Sequence, residues 1–476
     1  MTRSTILSLL AMTTIACGDD PKAVTPDAPV TDTPDAKVED PTVVVMPDEV
    51  TANMTLTTAK PYLLPKNTHV FVRSGATLTI EPGAQIVGEK GSVLVISRGA
   101  KIMAEGTVDK PIVFTSAQAV GARTPGYWGG LLVLGKAPIN VNTLSAPSST
   151  EALFEAFSNA DGDSGKFGGT VLDDNSGVIK YVRIEFGGFN FVQDREFNNL
   201  TLCGVGSGTT VDFVQLHGGS DDGIELFGGT VNVKHIVSSQ NEDDGFDTDN
   251  GWQGKGQFII VQNVAHRPGV VAEATNGYES DNHATPASYE ATPRTLPTMS
   301  NVTLIGDHSF TEQSSFAAVF RRGTGGHYTN HIWLGFPKGP EFRNVETKRQ
   351  LDAGNLTVRY SMFYGNQGVT QLPDPEKDAK GAVLVDDIVE APYLKTEDAL
   401  AAVPPLPDPH NLFTVDPGLT DALNRTAPNF LPKPGAAALT AGTVPPADAF
   451  FDATATFAGA IGTVDWTLGW TKYPQN

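Results

Sequence analysis

Short apolar runs with a period of two recur along this chain from Thr55 onward, and turns rather than helical stretches separate them. Thr77-Leu-Thr-Ile80, Val93-Leu-Val-Ile96, Ile112-Val-Phe114 and Leu131-Leu-Val-Leu134 come first. Longer alternations follow in Ile179-Lys-Tyr-Val-Arg-Ile-Glu-Phe186, Val211-Asp-Phe-Val-Gln-Leu216, Val231-Asn-Val-Lys-His-Ile-Val237, Phe258-Ile-Ile-Val261 and Val302-Thr-Leu-Ile305. Side chains of a strand alternate between its two faces, so this pattern predicts β-strands and an all-β protein.

Spacing decides how the strands stack. Val214 and Ile236 are 22 residues apart and Ile236 and Ile259 are 23 apart. A period in the twenties predicts a solenoid whose coils bury a shared core. The regular leucines and asparagine of a leucine-rich repeat are missing, which leaves a right-handed parallel β-helix over residues 51–375. The competing reading is a β-sandwich with coincidental spacing. Glycine pairs after strands, at Gly187-Gly188, Gly218-Gly219 and Gly228-Gly229, fit coil corners that need positive φ or close approach. Asn142 to Ser176 and Ala265 to Thr298 read as excursions between coils, the kind of loop that builds a binding face. Beyond Asn366 the strands thin out, and residues 376–476 are expected to cap the open end of the solenoid.

Composition adds compartment and excludes one partner class. The 476 residues carry a formal charge of −21, which argues against nucleic acid or an anionic polysaccharide unless cations intervene. The start, with an apolar stretch Ile6 to Met12 before Thr14-Ile-Ala-Cys17, has the layout of an export signal. It is similar to a lipobox, in which the cysteine is acylated, although Thr14 stands where Leu is usual. Residues 1–17 are therefore expected to be a lipoprotein signal ending at the lipidation residue Cys17, the alternative being cleavage near Ala16 that leaves a free thiol. Residues 18–50, rich in Asp, Pro and Thr, read as a disordered tether. The body would then hang from a membrane of the cell envelope, in the outer membrane or at the surface of a Gram-negative bacterium. Cys203, the other of two cysteines, sits in an apolar segment and is expected to be a buried thiol.

The candidate chemistry is a repeated acidic corner. Ser220-Asp-Asp-Gly-Ile-Glu225 is matched 22 residues on by Glu242-Asp-Asp-Gly-Phe-Asp247, and the second copy continues to Asp249. If that offset is one coil, Asp222 lies under Asp244 and Glu225 under Asp247. Two unit charges about 5 Å apart repel by roughly 3 kcal/mol at an effective dielectric of about 20. Such a stack needs a bound cation, interleaved Arg or Lys, or a carboxyl held protonated. Oxygen ligands at flexible spacing suit Ca²⁺, and no His/Cys set with zinc spacing occurs. The expected Ca²⁺ ligands are Asp221, Asp222, Glu225, Asp243, Asp244, Asp247 and Asp249. The organic cations that could substitute are Arg183, Lys234, Lys255 and Arg321. Trp252, directly after the corner, is the candidate for stacking on a sugar ring. Glu279 and Asp281 form a third acidic patch able to reach the same ligand.

Several segments together resemble secreted bacterial lipoproteins of the right-handed parallel β-helix, pectin-lyase-like class. They are Tyr127-Trp-Gly-Gly-Leu-Leu132, Lys180-Tyr-Val-Arg-Ile-Glu-Phe-Gly-Gly188, Asp221-Asp-Gly-Ile-Glu225, Asp243-Asp-Gly-Phe-Asp-Thr-Asp249, Asn301-Val-Thr-Leu-Ile305 and Asp465-Trp-Thr-Leu-Gly-Trp-Thr471. The resemblance implies the fold and no particular activity. The Asp-Asp doublets are similar to those of polygalacturonase-type glycosidases, but the Gly-His-Gly and Arg-Ile-Lys motifs of those enzymes are absent. The expected function is a lipid-anchored protein outside the cytoplasm whose acidic, Ca²⁺-binding face takes a glycan or a surface protein. The alternative is a polysaccharide lyase or glycoside hydrolase that uses the same carboxylates.

Overall fold

The computed structural model describes residues 42–141, 150–157, 165–189, 196–263, 275–307, 315–366 and 371–476, the last span without 376, 378–379, 381–383 and 385. Cys17 and residues 18–41 of the expected tether lie outside the described residues, whereas its last part is ordered: Val44–Val45 and Glu49–Val50 pair with the next coil and bury Met46 and Val50. Parallel pairing organises nearly everything else. A 16-stranded sheet starts at Val44–Val45 and closes at Leu412–Phe413, and a 10-stranded sheet runs from Glu49–Val50 to Lys338–Phe342. Each coil contributes a strand to the smaller wall and one or two to the larger, as where Met54–Leu56, Thr77–Ile80 and Lys101–Glu105 stack beside Tyr62–Leu64, Gln85–Gly88 and Ile112–Ser116, which makes a right-handed parallel β-helix. The 22-residue offset is one coil, because Val214 pairs with Ile236 and Ile236 with Ile259.

Register puts like on like inside. In the 16-stranded wall one inward column reads Val182, Val214, Ile236, Ile259 and Val302, all buried. Facing it across the core, the other wall stacks Leu131, Leu200, Ile224, Phe246 and Tyr278. Burying one such side chain contributes about 1.5–3 kcal/mol, so the columns carry the fold. Cys203 is buried, as its apolar setting predicts.

The long strands of the larger wall each bend at one residue held at positive φ: Tyr181, Phe213, His235, Phe258, Asn301 and Asn330, with φ from 48° to 60°. Left-handed backbone is uncommon for non-glycine residues, and here it recurs at the same level of each coil. The rings at this bend stack in a column: Tyr181 on Phe213 at 4.5 Å, Phe213 on His235 at 4.1 Å and His235 on Phe258 at 5.1 Å.

The C-terminal segment does two jobs where one end cap is expected from sequence. Residues 386–401 pack against the last coil, with Ile388 and Leu394 in the main core. Residues 419–475 instead run back along the flank of the larger wall. There Gln215 exchanges hydrogen bonds with the backbone of Lys472 (2.6 and 2.9 Å), Gln262 donates to Ala422 O and Asn424 O, and Asn301 donates to Ala455 O and Phe457 O. Trp466 and Trp470 close edge-on over Phe213. The physical reason is that the flank presents buried amides and aromatic rings, and a backbone laid across them satisfies the amides.

Candidate functional site

The acidic corner lies where the 10-stranded wall begins and continues along its outer face. Glu225 pairs with Asp247, Asp247 with Glu279, Glu279 with Val319 and Val319 with Glu341, so these five form one outward column. Phe227 pairs with Asp249 in the neighbouring outward column. The stacking of Glu225 with Asp247 expected from the repeat is therefore present.

A second column, at the turn into this wall, explains part of the Asp-Asp-Gly motif. Asn198 Oδ1 accepts the Asp222 N–H at 3.2 Å, Asp222 Oδ1 accepts the Asp244 N–H at 2.9 Å, Asp244 Oδ1 accepts the Asn276 N–H at 2.7 Å and Asn276 Oδ1 accepts the Phe316 N–H at 2.9 Å. Each side chain thus satisfies a backbone donor of the next coil, which would otherwise cost about 1–3 kcal/mol. Asparagine does this at both ends of the ladder, so capping alone does not require the charges of Asp222 and Asp244. Gly223 and Gly245 follow because space is missing. A Cβ on Gly223 would sit 2.0 Å from Ser238 Oγ, and one on Gly245 would sit 2.1 Å from Val261 Cγ1.

Eleven of the thirteen residues that line the resulting pocket are acidic, and the pocket holds about 540 Å³ of space, part of it open to solvent. Two carboxylate triads stand inside it. Asp221, Asp222 and Asp243 bring one oxygen each within 4.8 Å of one another, and so do Asp222, Glu225 and Asp247. Burial holds the carboxyls of Asp222, Glu225 and Asp247 well above their ordinary range, and the neighbouring acids push them further in the same direction. Against this, Glu225 Oε2 accepts a hydrogen bond from Asn198 Nδ2 at 2.6 Å. Asp247 Oδ1 is shut off from water with no hydrogen-bond partner among the described residues.

Organic cations reach one end of the pocket. Arg321 bonds Glu279 through Nη2 and Asp281 Oδ1 through Nε at 2.9 Å, and Arg322 Nη1 meets Asp281 Oδ2 at 2.6 Å. Glu279 and Asp281 are therefore arginine partners. Arg183, Lys234 and Lys255 serve elsewhere: Arg183 pairs with Glu185 (3.0 Å), Lys234 donates to Phe450 O (2.9 Å) and Lys255 pairs with Asp448 (2.5 Å).

Trp252 corrects the sugar-stacking expectation. It is fully buried, its indole N–H donates to Val231 O at 3.1 Å, and its ring packs near Phe246, so it cannot meet a glycan. Its position after the corner points it into the coil interior. Sequence reading missed Glu155 and Glu196, which also line the pocket. Glu155 arrives on the first excursion, where Glu151–Leu153 pairs antiparallel with Lys166–Gly168. That hairpin docks on the wall through Phe154, Phe157, Phe197 and Phe227. Its phenylalanines were the only available signal, since nothing local to Glu155 or Glu196 marks them as ligands.

An all-oxygen, buried and crowded donor set with an orphaned carboxylate oxygen fits a hard divalent cation. The described residues thus supply a place able to hold a metal ion, whose identity the donor set limits only to the oxygen-seeking class.

Residues 48–396 match the family described as the pectate-lyase like beta helix domain. No curated protein and no solved structure matches the chain.

Proposed function

This chain belongs to the pectate-lyase-like β-helix family, a membership that supports a carbohydrate-related role outside the cell, and from that premise we propose that its acidic pocket binds Ca²⁺ and, through it, an acidic glycan or surface protein. One observation carries the reading: two triads that share Asp222 each bring their oxygens within 4.8 Å of one another, while Arg321 bonds Glu279 and Asp281 and Arg322 bonds Asp281. A Ca²⁺ ion takes six to eight oxygens at about 2.3–2.6 Å and neutralises such a cluster at once. A chain of net charge −21 then meets an anionic ligand only through the cation's remaining coordination positions. Each triad brings three carboxylate oxygens within reach of a single ion, which is the geometry of cation binding. Cys17 would tether the protein by lipid to the cell envelope, in keeping with its export-signal text.

Titration calorimetry with Ca²⁺, followed by uronate oligosaccharides in Ca²⁺ and in chelator, tests the pocket. Saturable Ca²⁺ binding that Asp247→Asn abolishes is expected, with glycan binding only in the presence of Ca²⁺. No heat with Ca²⁺ would overturn the reading, and release of unsaturated uronate ends would replace binding by lyase action. For the anchor, Cys17→Ser is expected to move the protein from membrane to soluble fractions.

A further inference from the structure

At the far end of the same outward column a second group of carboxylates forms, two coils beyond the pocket. Glu341 is on the last strand of the 10-stranded wall, and Asp387 and Glu390 come from the segment that folds back over it. Backbone bonds hold the two partners together: Asn344 N–H to Asp386 O at 2.7 Å and Ile388 N–H to Phe342 O at 3.2 Å. One oxygen from each of the three carboxylates lies within 4.8 Å of the others. Two Ca–O bonds span about 5 Å, so a single ion can touch all three.

Glu390 supplies an independent pointer to a ligand. It is 3 % exposed, yet its Oε1 has no hydrogen-bond partner among the described residues. It precedes the short helix Ala391–Leu394 without capping it by its side chain. Arg343 Nε meets Glu341 Oε1 at 3.0 Å, and that guanidinium also lies over the Phe316 ring.

We propose that Glu341, Asp387 and Glu390 bind a Ca²⁺-class divalent cation that clamps the segment 386–401 onto the last coil. The ion bridges the wall's final strand to the chain that seals it. Three oxygens from two parts of the chain converge here, more than one backbone or side-chain donor can serve. Mg²⁺ fits less well, since it is normally held by one or two carboxylates and keeps its waters.

Hydrogen exchange read by mass spectrometry on the full chain, with Ca²⁺ or chelator, resolves this clamp from the pocket. At free Ca²⁺ about ten times the dissociation constant, exchange within 386–401 should slow about tenfold in wild type and in Asp247→Asn. It should not respond in Glu390→Gln or in Asp387→Asn, a partly exposed position that serves if Glu390→Gln does not fold. Exchange that ignores Ca²⁺ in wild type would overturn the clamp. So would an equal slowing in Asp387→Asn, which would assign the effect to ions elsewhere. Slowing lost only in Asp247→Asn would trace it to the pocket.

Discussion

Two corners of the same coils stack their side chains at one-coil spacing with opposite results. On the flank of the larger wall, Tyr181, Phe213, His235 and Phe258 superimpose, and the contacts between rings are favourable. On the other wall Glu225 sits on Asp247, and the same repeat brings like charges together. The returning tail covers the ring column with Trp466 and Trp470, whereas the acid column opens into a pocket. A parallel β-helix amplifies whatever occupies a repeated position. It lowers the free energy when that residue is a ring, and when it is a carboxylate it raises the free energy until a counter-ion arrives. One corner is therefore read as architecture and the other as a binding place.

Breaking the ring corner should give the largest effect. Trp470→Ala removes a fully buried indole that sits edge-on to Tyr181 and Phe213 and should cost about 3–5 kcal/mol in denaturant unfolding, while the Ca²⁺ response is retained. Loss of that response as well would mean that the two corners are not independent.

The acid corner should show itself through pH. Asp222, Glu225 and Asp247 are held above their ordinary range, so in this region the folded chain binds more protons than the unfolded one. Stability of the metal-free protein then falls as pH rises from the ordinary carboxylate range toward neutrality and beyond. The melting temperature should drop between pH 5 and pH 8, by about 1 °C for each kcal/mol lost in a chain of this length. Saturating Ca²⁺ should abolish the drop, because the ion competes with protons for the same oxygens. A metal-free stability that rises over this interval would contradict the charge stack.

Asp247→Asn sharpens the contrast. Removing one charge from the column should stabilise the metal-free protein by about 1 kcal/mol in thermal unfolding and remove the gain from Ca²⁺. Net destabilisation without metal would show that the carboxylate is held by the protein itself. An effect of similar size belongs to Phe213→Leu, which keeps an apolar side chain but interrupts the ring column. It should cost about 0.5–1.5 kcal/mol by the same assay and leave the pH profile unchanged.

The solenoid could be read from spacing because inward columns must repeat hydrophobic residues at the coil period, as Val214, Ile236 and Ile259 do. The acidic corner was legible for the same reason: the two Asp-Asp-Gly copies are one coil apart. What spacing could not carry was long-range folding of irregular segments. Glu155 reaches the pocket on a hairpin seated by phenylalanines, and the ladder Asn198, Asp222, Asp244, Asn276 has uneven sequence steps because the excursion before Asn276 lengthens one coil. Adjacency to the acidic text suggested a sugar platform at Trp252, but the chain turns inward after Phe246–Asp249 and buries the ring, which adjacency in sequence does not reveal. The tail gave no period at all, and its route depends on a row of buried amides spread over several coils.

That row has a consequence for how the molecule is completed. Gln215, Gln262, Asn301 and Asn330 bond to backbone that is synthesised more than a hundred residues later. Until those last residues emerge, the flank is an unlatched seam of thirsty amides. A nonsense codon near Asp416 would leave every coil intact and the seam undone, so early termination should yield a sticky, chaperone-dependent product rather than a shorter working protein.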